Sequence, residues 1–443
     1  MQHIMNTTFS RTLLATSILL TSTTSIAGGF QVNEHSATGL GRAFAGEAVI
    51  ADNASVLSRN AAAMTMFKKD SFSMGITIVK PNVTVKDGTY YRPEVDVNKP
   101  IFGNITAAGS YETVDVGDVD GIAPIAAVPN FYYIHPVSDT FAIGISAYSN
   151  FGTGTEFKSN YEAPIFGGKT SVQSMNLGMS IAYKINENLS IGGGLDVIYG
   201  VGDLYRDIDV TIGASISGSH VGNLTMTENA LDVHATGVGL GANIGMVYEV
   251  NDGNRFGLSY KYSPEIEAKG DVYYAPAALM GKESNKIFLP LPDIAEFSGF
   301  HMITDKTTIH YSIQWIGWSA FDTIDTEYDT VKEYHWKDSY HYAIGATHYL
   351  NNKWILRTGY MYDQTPVDEL TSISIPDSDR QWFSAGFTYN WSSSTTLDFG
   401  VTYLIGEDVK VNEHMEEGLP VPSLTATTHA DAILAAIQLS HSF

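Results

Sequence analysis

The stretch SMNLGMSIAYKI, residues 174–185, decides the fold. Met175, Leu177, Met179, Ile181, Tyr183 and Ile185 share one parity, and Ser174, Asn176, Gly178, Ser180, Ala182 and Lys184 share the other. Successive side chains of a β-strand point to opposite sides, so this alternation builds one apolar face and one polar face. The same split recurs in TIHYSIQW (308–315), where Ile309, Tyr311, Ile313 and Trp315 oppose His310, Ser312 and Gln314. In TLDFGVTYLI (396–405), Leu397, Phe399, Val401, Tyr403 and Ile405 oppose Asp398, Gly400, Thr402 and Leu404. A soluble sandwich would alternate too, but its strands average only about five or six residues.

Tight polar turns punctuate the pattern: PVSD near 138, NEN near 187, NDGN near 252, TDK near 305, NNK near 352 and SSST near 394. Each joins a hairpin. With an opening strand at 71–80 and a closing strand at 431–443 they predict fourteen strands, an even number as single-chain bacterial barrels require. The connections on the opposite side, about 84–124, 207–234, 265–288 and 406–428, are long. Short periplasmic turns and long extracellular loops give this asymmetry. A mean hydropathy of −0.04 fits as well, because lipid-facing and lumen-facing residues average out along a barrel strand. The 25 Tyr and 20 Phe can supply the aromatic girdles at the two membrane interfaces.

Residues 1–27 read as a secretory signal peptide, with Arg11 before the apolar run TLLATSILL and Ser25 and Ala27 at cleavage spacing. The apolar run is about half the ~18 residues of a spanning helix. A chain without cysteine has no disulfide, thiolate nucleophile or Cys-ligated metal. Its 25 Lys and Arg against 48 Asp and Glu give a formal charge of −23, which repels nucleic acid. Neither GxSxG nor HExxH occurs, no paired carboxylates stand in a recognisable setting, and no catalytic residue, metal or cofactor is expected.

The segment GFQVNEHSATGLGRAFAGEAVIADNASVLSRNAAAMTMF (29–67) has no period of two. It resembles the N-terminal hatch of the long-chain fatty acid transporters of Gram-negative outer membranes, the FadL and TodX family. The likeness continues through VPNFYYIHPVSDTFAIGISAYSNFGTGTEF (128–157), SGFHMITDKTTIHYSIQWIGWSAF (298–321), WKDSYHYAIGATHYL (336–350) and SISIPDSDRQWFSAGFTY (372–389). It implies a signal peptide (1–27), a hatch (28–68) and a monomeric 14-stranded barrel (69–443) in the outer membrane. Such a barrel passes hydrophobic molecules inward beyond lipopolysaccharide without ATP or cofactor. A greasy solute cannot dissolve in the saccharide layer, and a lumen with apolar sites gives it somewhere to bind.

The resemblance also implies site residues. Its sideways exit falls on Ser149, Asn150, Phe151 and Gly152, where Asn and Gly interrupt a strand; a plain strand end is the other reading. Arg206 and Lys337 match cations that receive the ligand carboxylate, although a lumen salt bridge to Asp207 or Asp338 would also account for them. Arg357 also reads as inward-facing and structural. Leu279, Met280 and Phe288, in a long outer loop, are expected to form an apolar groove. Gly237, Gly239, Gly241 and Gly245 share one face and leave room in the lumen for the hatch or a ligand. The final strand, AILAAIQLSHSF (432–443), ends in Phe443, which resembles the signal read by the barrel assembly machinery. At the hatch tip, Asn60, Ala61 and Ala62 stand where relatives carry Asn-Pro-Ala. Uptake of aromatic hydrocarbons, or a structural or adhesive surface barrel, are the alternatives.

Overall fold

The computed structural model describes residues 29–96, 110–216, 219–275, 278, 281, 284–415 and 422–443. The expected signal peptide, Leu279 and Met280 lie outside the described residues. The alternating segments form β1 (Ser71–Asp96), β2 (Ala126–Pro136), β3 (Phe141–Tyr148), β4 (Lys169–Lys184), β5 (Leu189–Ile216), β6 (Ser219–Asn251) and β7 (Asn254–Tyr262). They continue as β8 (Ile294–Thr304), β9 (Thr307–Ile316), β10 (Ser339–Tyr349), β11 (Trp354–Asp363), β12 (Arg380–Asn390), β13 (Thr395–Gly406) and β14 (Ser423–Ser442). Each strand pairs antiparallel with the next. β14 returns to β1 from Ser71↔Ser442 to Tyr91↔Ser423 and closes a 14-stranded barrel. Closure gives each of the fourteen strands a partner on both sides, as a bilayer demands.

Parity sorts the side chains as the sequence requires. Leu177, Met179, Ile181 and Tyr183 of β4 are exposed on the outer wall, while Ser174, Asn176 and Ser180 are buried inside. Val401 and Tyr403 of β13 and Ile433 and Ile437 of β14 extend the same outward apolar belt. One long connection departs from expectation. The region 207–234 is largely a ribbon, since β5 and β6 stay paired out to Ile216↔Ser219. Alternation in DIDVTIGASI (207–216) favours continued pairing over a loop.

Residues 29–65 run inside the ring, all buried except Ala51 and Asp52. Their turns are short, Ala37–Leu40, Ala54–Ser58 and Ala61–Met66. The side chains of Ser36, Asn53 and Asn60 begin them by accepting from the N–H of Gly39, Ser55 and Ala62. Backbone fits against backbone where the wall has no side chain. A Cβ on Gly359 would lie 2.1 Å from the Arg42 carbonyl, and one on Gly400 would lie 2.5 Å from that of Ala37. Small residues in this segment and glycines in the wall are two halves of one fit.

Candidate ligand path

Above the luminal segment, toward the rim of long connections, inward side chains form an apolar cluster. Phe30 sits at its centre, its ring 4.6 Å from Trp318, 5.0 Å from Phe321, 5.8 Å from Trp336 and 6.0 Å from Phe151. Ile198 and Leu204 of β5, Leu231 and Val233 of β6, and Ile266, Ile294 and Ile316 complete it. Burial of so many large side chains gives the lumen an apolar interior at this level.

The wall is broken beside Phe151. β2 pairs with β3 only from Phe131↔Ala147 to Pro136↔Ala142, so its first residues, 126–130, have β1 as their sole ladder partner among the described residues. After Tyr148 the chain turns in and resumes as Gly152–Glu156, whose ladder partner among the described residues is β4. The backbone groups freed by the turn are taken up from inside. The Val32 N–H donates to the Asn150 carbonyl at 2.7 Å, and the Gly152 N–H donates to the Phe30 carbonyl at 2.8 Å. Gln31 and Phe151 thus form an isolated antiparallel bridge. Buried backbone groups must be paired, and here the luminal segment supplies the partners that β2 does not. On the outer surface an apolar hollow lined by Phe131, Ile145, Ala147 and Leu177 adjoins this break.

Polar groups collect under Phe151. The His35 Nε2–H donates to the Ser149 carbonyl at 2.8 Å, and Tyr148 Oη donates to Asp196 at 3.4 Å. Lys261 of β7 donates from Nζ to the Ser58 carbonyl (2.9 Å), Tyr148 Oη (2.9 Å) and Asn150 Oδ1 (3.3 Å). Sequence reasoning passed over Lys261. The alternation of Gly257, Ser259 and Lys261 against Leu258, Tyr260 and Tyr262 was the available signal that it faces inward.

Ion pairs fix the luminal segment lower down. Arg42 joins Glu47 at 2.7 Å and Asp52 at 2.8 Å, and Arg357 of β11 reaches Asp52 at 3.2 Å. Arg59 pairs with Glu296 of β8 at 3.4 Å, and the same Glu296 accepts from the Ala48 N–H. Although burial opposes its charge, the Arg42 and Arg357 guanidiniums hold the Asp52 carboxyl down to about 2. Burial dominates at Glu47, whose carboxyl is raised, and at His35, whose imidazole is pushed well below its usual value and stays neutral.

The other expected site residues are dispersed. Arg206, buried inward on β5 next to Leu204, donates to the carbonyls of Lys169 and Tyr205 (2.7 Å each) and to Thr170 Oγ1 (2.6 Å). No ion pair links it to Asp207 among the described residues. Lys337, half-exposed, pairs with Asp368 at 3.0 Å, while Asp338 accepts from the Trp315 indole N–H instead. Ile287 and Leu289 face the apolar cluster, whereas Phe288, opposite Asp325 in register, lines a small cleft with Glu265 and Tyr328. Strand parity decides this, since neighbours in a strand take opposite faces. Asn60 donates from Nδ2 to the carbonyls of Ala48 (2.7 Å) and Met246 (3.0 Å), and a Cβ on Gly245 would lie 2.0 Å from its Oδ1. Of the four glycines expected to make room, Gly245 meets the luminal segment; Gly237 and Gly239 accommodate Ile266, and Gly241 accommodates Ile198.

A closed antiparallel ring with an outward apolar belt, filled by its own N-terminal segment, defines an outer-membrane barrel of the plugged class. Residues 18–443 match the model of the outer membrane protein transport proteins OMPP1/FadL/TodX, and the chain belongs to that family. It is 35% identical over 431 residues to the long-chain fatty acid transport protein of Salmonella typhi, covering 92% of this chain and 94% of that protein. It is 34% identical over 470 residues to outer membrane protein P1 of Haemophilus influenzae, covering 98% and 99%. A crystallised Pseudomonas aeruginosa FadL homologue has the same fold, with a TM-score of 0.78 at 21% identity over 94% of this chain and all of the other.

Proposed function

We propose that this chain carries long-chain fatty acids inward across a Gram-negative outer membrane, by diffusion from the apolar cluster to the break in the wall. One observation carries the reading: at Ser149–Gly152 the ladder between β2 and β3 is replaced by hydrogen bonds to residues 30–32. A movement of the luminal segment therefore acts directly on the opening. Residues 28–68 serve as the hatch, with Asn60, Ala61 and Ala62 anchored on the wall. Arg206, at the margin of the cluster, and Lys337, at the upper rim, are the first cations a carboxylate meets. The hydrocarbon tail leaves through the break into the apolar outer hollow and the bilayer beyond. The 35% identity to a protein named for long-chain fatty acid transport supports this substrate class.

Delivery by a cleaved signal peptide (1–27), a monomeric state, assembly through Phe443 and a setting among lipopolysaccharide complete the proposal. It requires no catalytic residue. Deletion of the gene is expected to abolish growth on oleate as sole carbon source, and purified protein is expected to bind labelled oleate. Unchanged growth together with absence of binding would refute the reading. Loss of toluene uptake in place of oleate uptake would assign the barrel to hydrocarbons.

A further inference from the structure

Lys261 is buried, yet every group that accepts from its ammonium is neutral: the Ser58 carbonyl, Tyr148 Oη and Asn150 Oδ1. Asp196 and Glu296 are the nearby carboxylates, but the oxygens of Asp196 are turned to Tyr148 Oη and Asn243 Nδ2, those of Glu296 to Arg59, Gln314 and the Ala48 N–H, and no ion pair joins either to Lys261 among the described residues. Two further donors lie around Tyr148. Asn150, 1% exposed, has no partner for its Nδ2, and Asn176, 0% exposed and opposite Tyr148 in register, has none for either side-chain atom. A buried cation and buried amide donors without an anionic acceptor are costly to keep unless something uses them.

The place is as informative as the chemistry. Lys261 reaches the side chain of Asn150, the residue before Phe151 of the apolar cluster, and so stands at the inner side of the break. We propose that Lys261 is a binding site for the carboxylate of the fatty acid on its way to the side opening, with Asn150 and Asn176 as the amide donors beside it. This rests on the proposed transport of fatty acids and adds the residue that selects an acidic head group inside the barrel. A carboxylate is a stronger acceptor than a carbonyl or hydroxyl, so its arrival draws the ammonium from the Ser58 carbonyl and from Asn150. Those two acceptors belong to the luminal segment and to the broken strand. Capture of the head group thus unties the contact that holds one to the other.

The test compares labelled oleate with oleyl alcohol, which has the same tail and no charge, in cells whose only transporter of this kind is the full chain. Lys261→Met is expected to lower the ratio of oleate to alcohol uptake roughly tenfold, the loss of about one charge-assisted hydrogen bond, and Lys261→Arg to restore it. Asn150→Asp is nearly isosteric and gives the ammonium a carboxylate of its own, so it too should lower the ratio, independently of whether the Met variant folds. An unchanged ratio in both Lys261→Met and Asn150→Asp, beside a normal wild type, overturns the assignment alone. Wild-type uptake of neither probe overturns the transport reading, and this assignment with it.

Discussion

Two seams of the barrel wall are built on different principles. The closing seam, β1 with β14, is a continuous ladder from Ser71↔Ser442 to Tyr91↔Ser423, with one register shift between Lys86 and Thr89. The seam between β2 and β3 stops at Phe131↔Ala147, and the chain from Ser149 to Gly152 is held by a segment that is not part of the wall. The first seam is held by partners that both belong to the wall. The second seam instead depends on the small residues, ion pairs and wall glycines that keep residues 29–65 seated. Disturbance of the luminal segment should therefore loosen the β2–β3 seam and leave the β1–β14 seam as it was. Amide hydrogen exchange at Val32 and Gly152 against Ile76 and Ile437 reads the two separately.

Arg42→Ala should have the largest effect. It leaves Glu47 buried without its cation and takes one of two guanidiniums from Asp52. Removal of one partner from a buried ion pair costs about 3–5 kcal/mol. Exchange at Val32 and Gly152 should quicken by roughly two to four orders of magnitude, with Ile76 and Ile437 unaffected. Equal acceleration at both seams would show that the ring leans on its filling, and the contrast would fall.

Gly245→Ala acts on one anchor. The new methyl would occupy the place of Asn60 Oδ1, and displacement of that side chain removes its hydrogen bonds to Ala48 and Met246 and the cap on Ala62. About 2 kcal/mol of local stability should be lost, with exchange quickened near residues 60–65 first. If Val32 and Gly152 respond no more than Ile437, the hatch tip and the break are not mechanically joined.

A smaller effect is expected from acid. The Asp52 carboxyl titrates at about 2 in the folded chain against an ordinary 3.8. A depressed folded value means stabilisation that is complete above about pH 4 and is lost as the pH falls toward about 2. About a quarter of the Asp52 side chain, 26%, stays in contact with water, so screening reduces this to about 1 kcal/mol. Glu47 works in the opposite sense, since burial raises its carboxyl and protonation favours the folded form. Protection at Val32, measured against the intrinsic exchange rate at each pH, should fall between about pH 4 and pH 2, and Asp52→Asn should flatten that fall.

The ring was legible in the sequence because its rule is local. Period two in residues 174–185 already separates Leu177 from Asn176, and the tight turns are set by their own residues. The break was legible only as SNFG interrupting a strand. That Asn150 and Gly152 pair with residues more than a hundred positions earlier is a long-range fact with no local signal. Arg206 was correctly placed on the inner face, but parity says nothing about distance along the axis, so its carbonyl partners and the Asp368 partner of Lys337 were hidden. Lys261 shows the converse, a residue whose parity was readable and whose importance depends wholly on what the folded chain sets around it.

The smallest expected effect is at Ala61, which stands where the family resemblance implies a proline. Asn60, with φ −149° and ψ 105°, caps the turn Ala61–Met66, so Ala61 is its first residue. An extended residue is what a proline prefers before it, and the first position of a helical turn is where proline fits, because the N–H it lacks has no partner within the turn. The substitution Ala61→Pro therefore breaks no backbone hydrogen bond of the turn. It should stiffen the unfolded chain and stabilise the hatch tip by about 0.4–1 kcal/mol. Exchange near residues 60–65 should slow slightly, with oleate uptake unchanged. A fall in uptake would instead mean that the hatch tip must leave its seat during transport, and that Ala61 is kept because the freer backbone lets it do so.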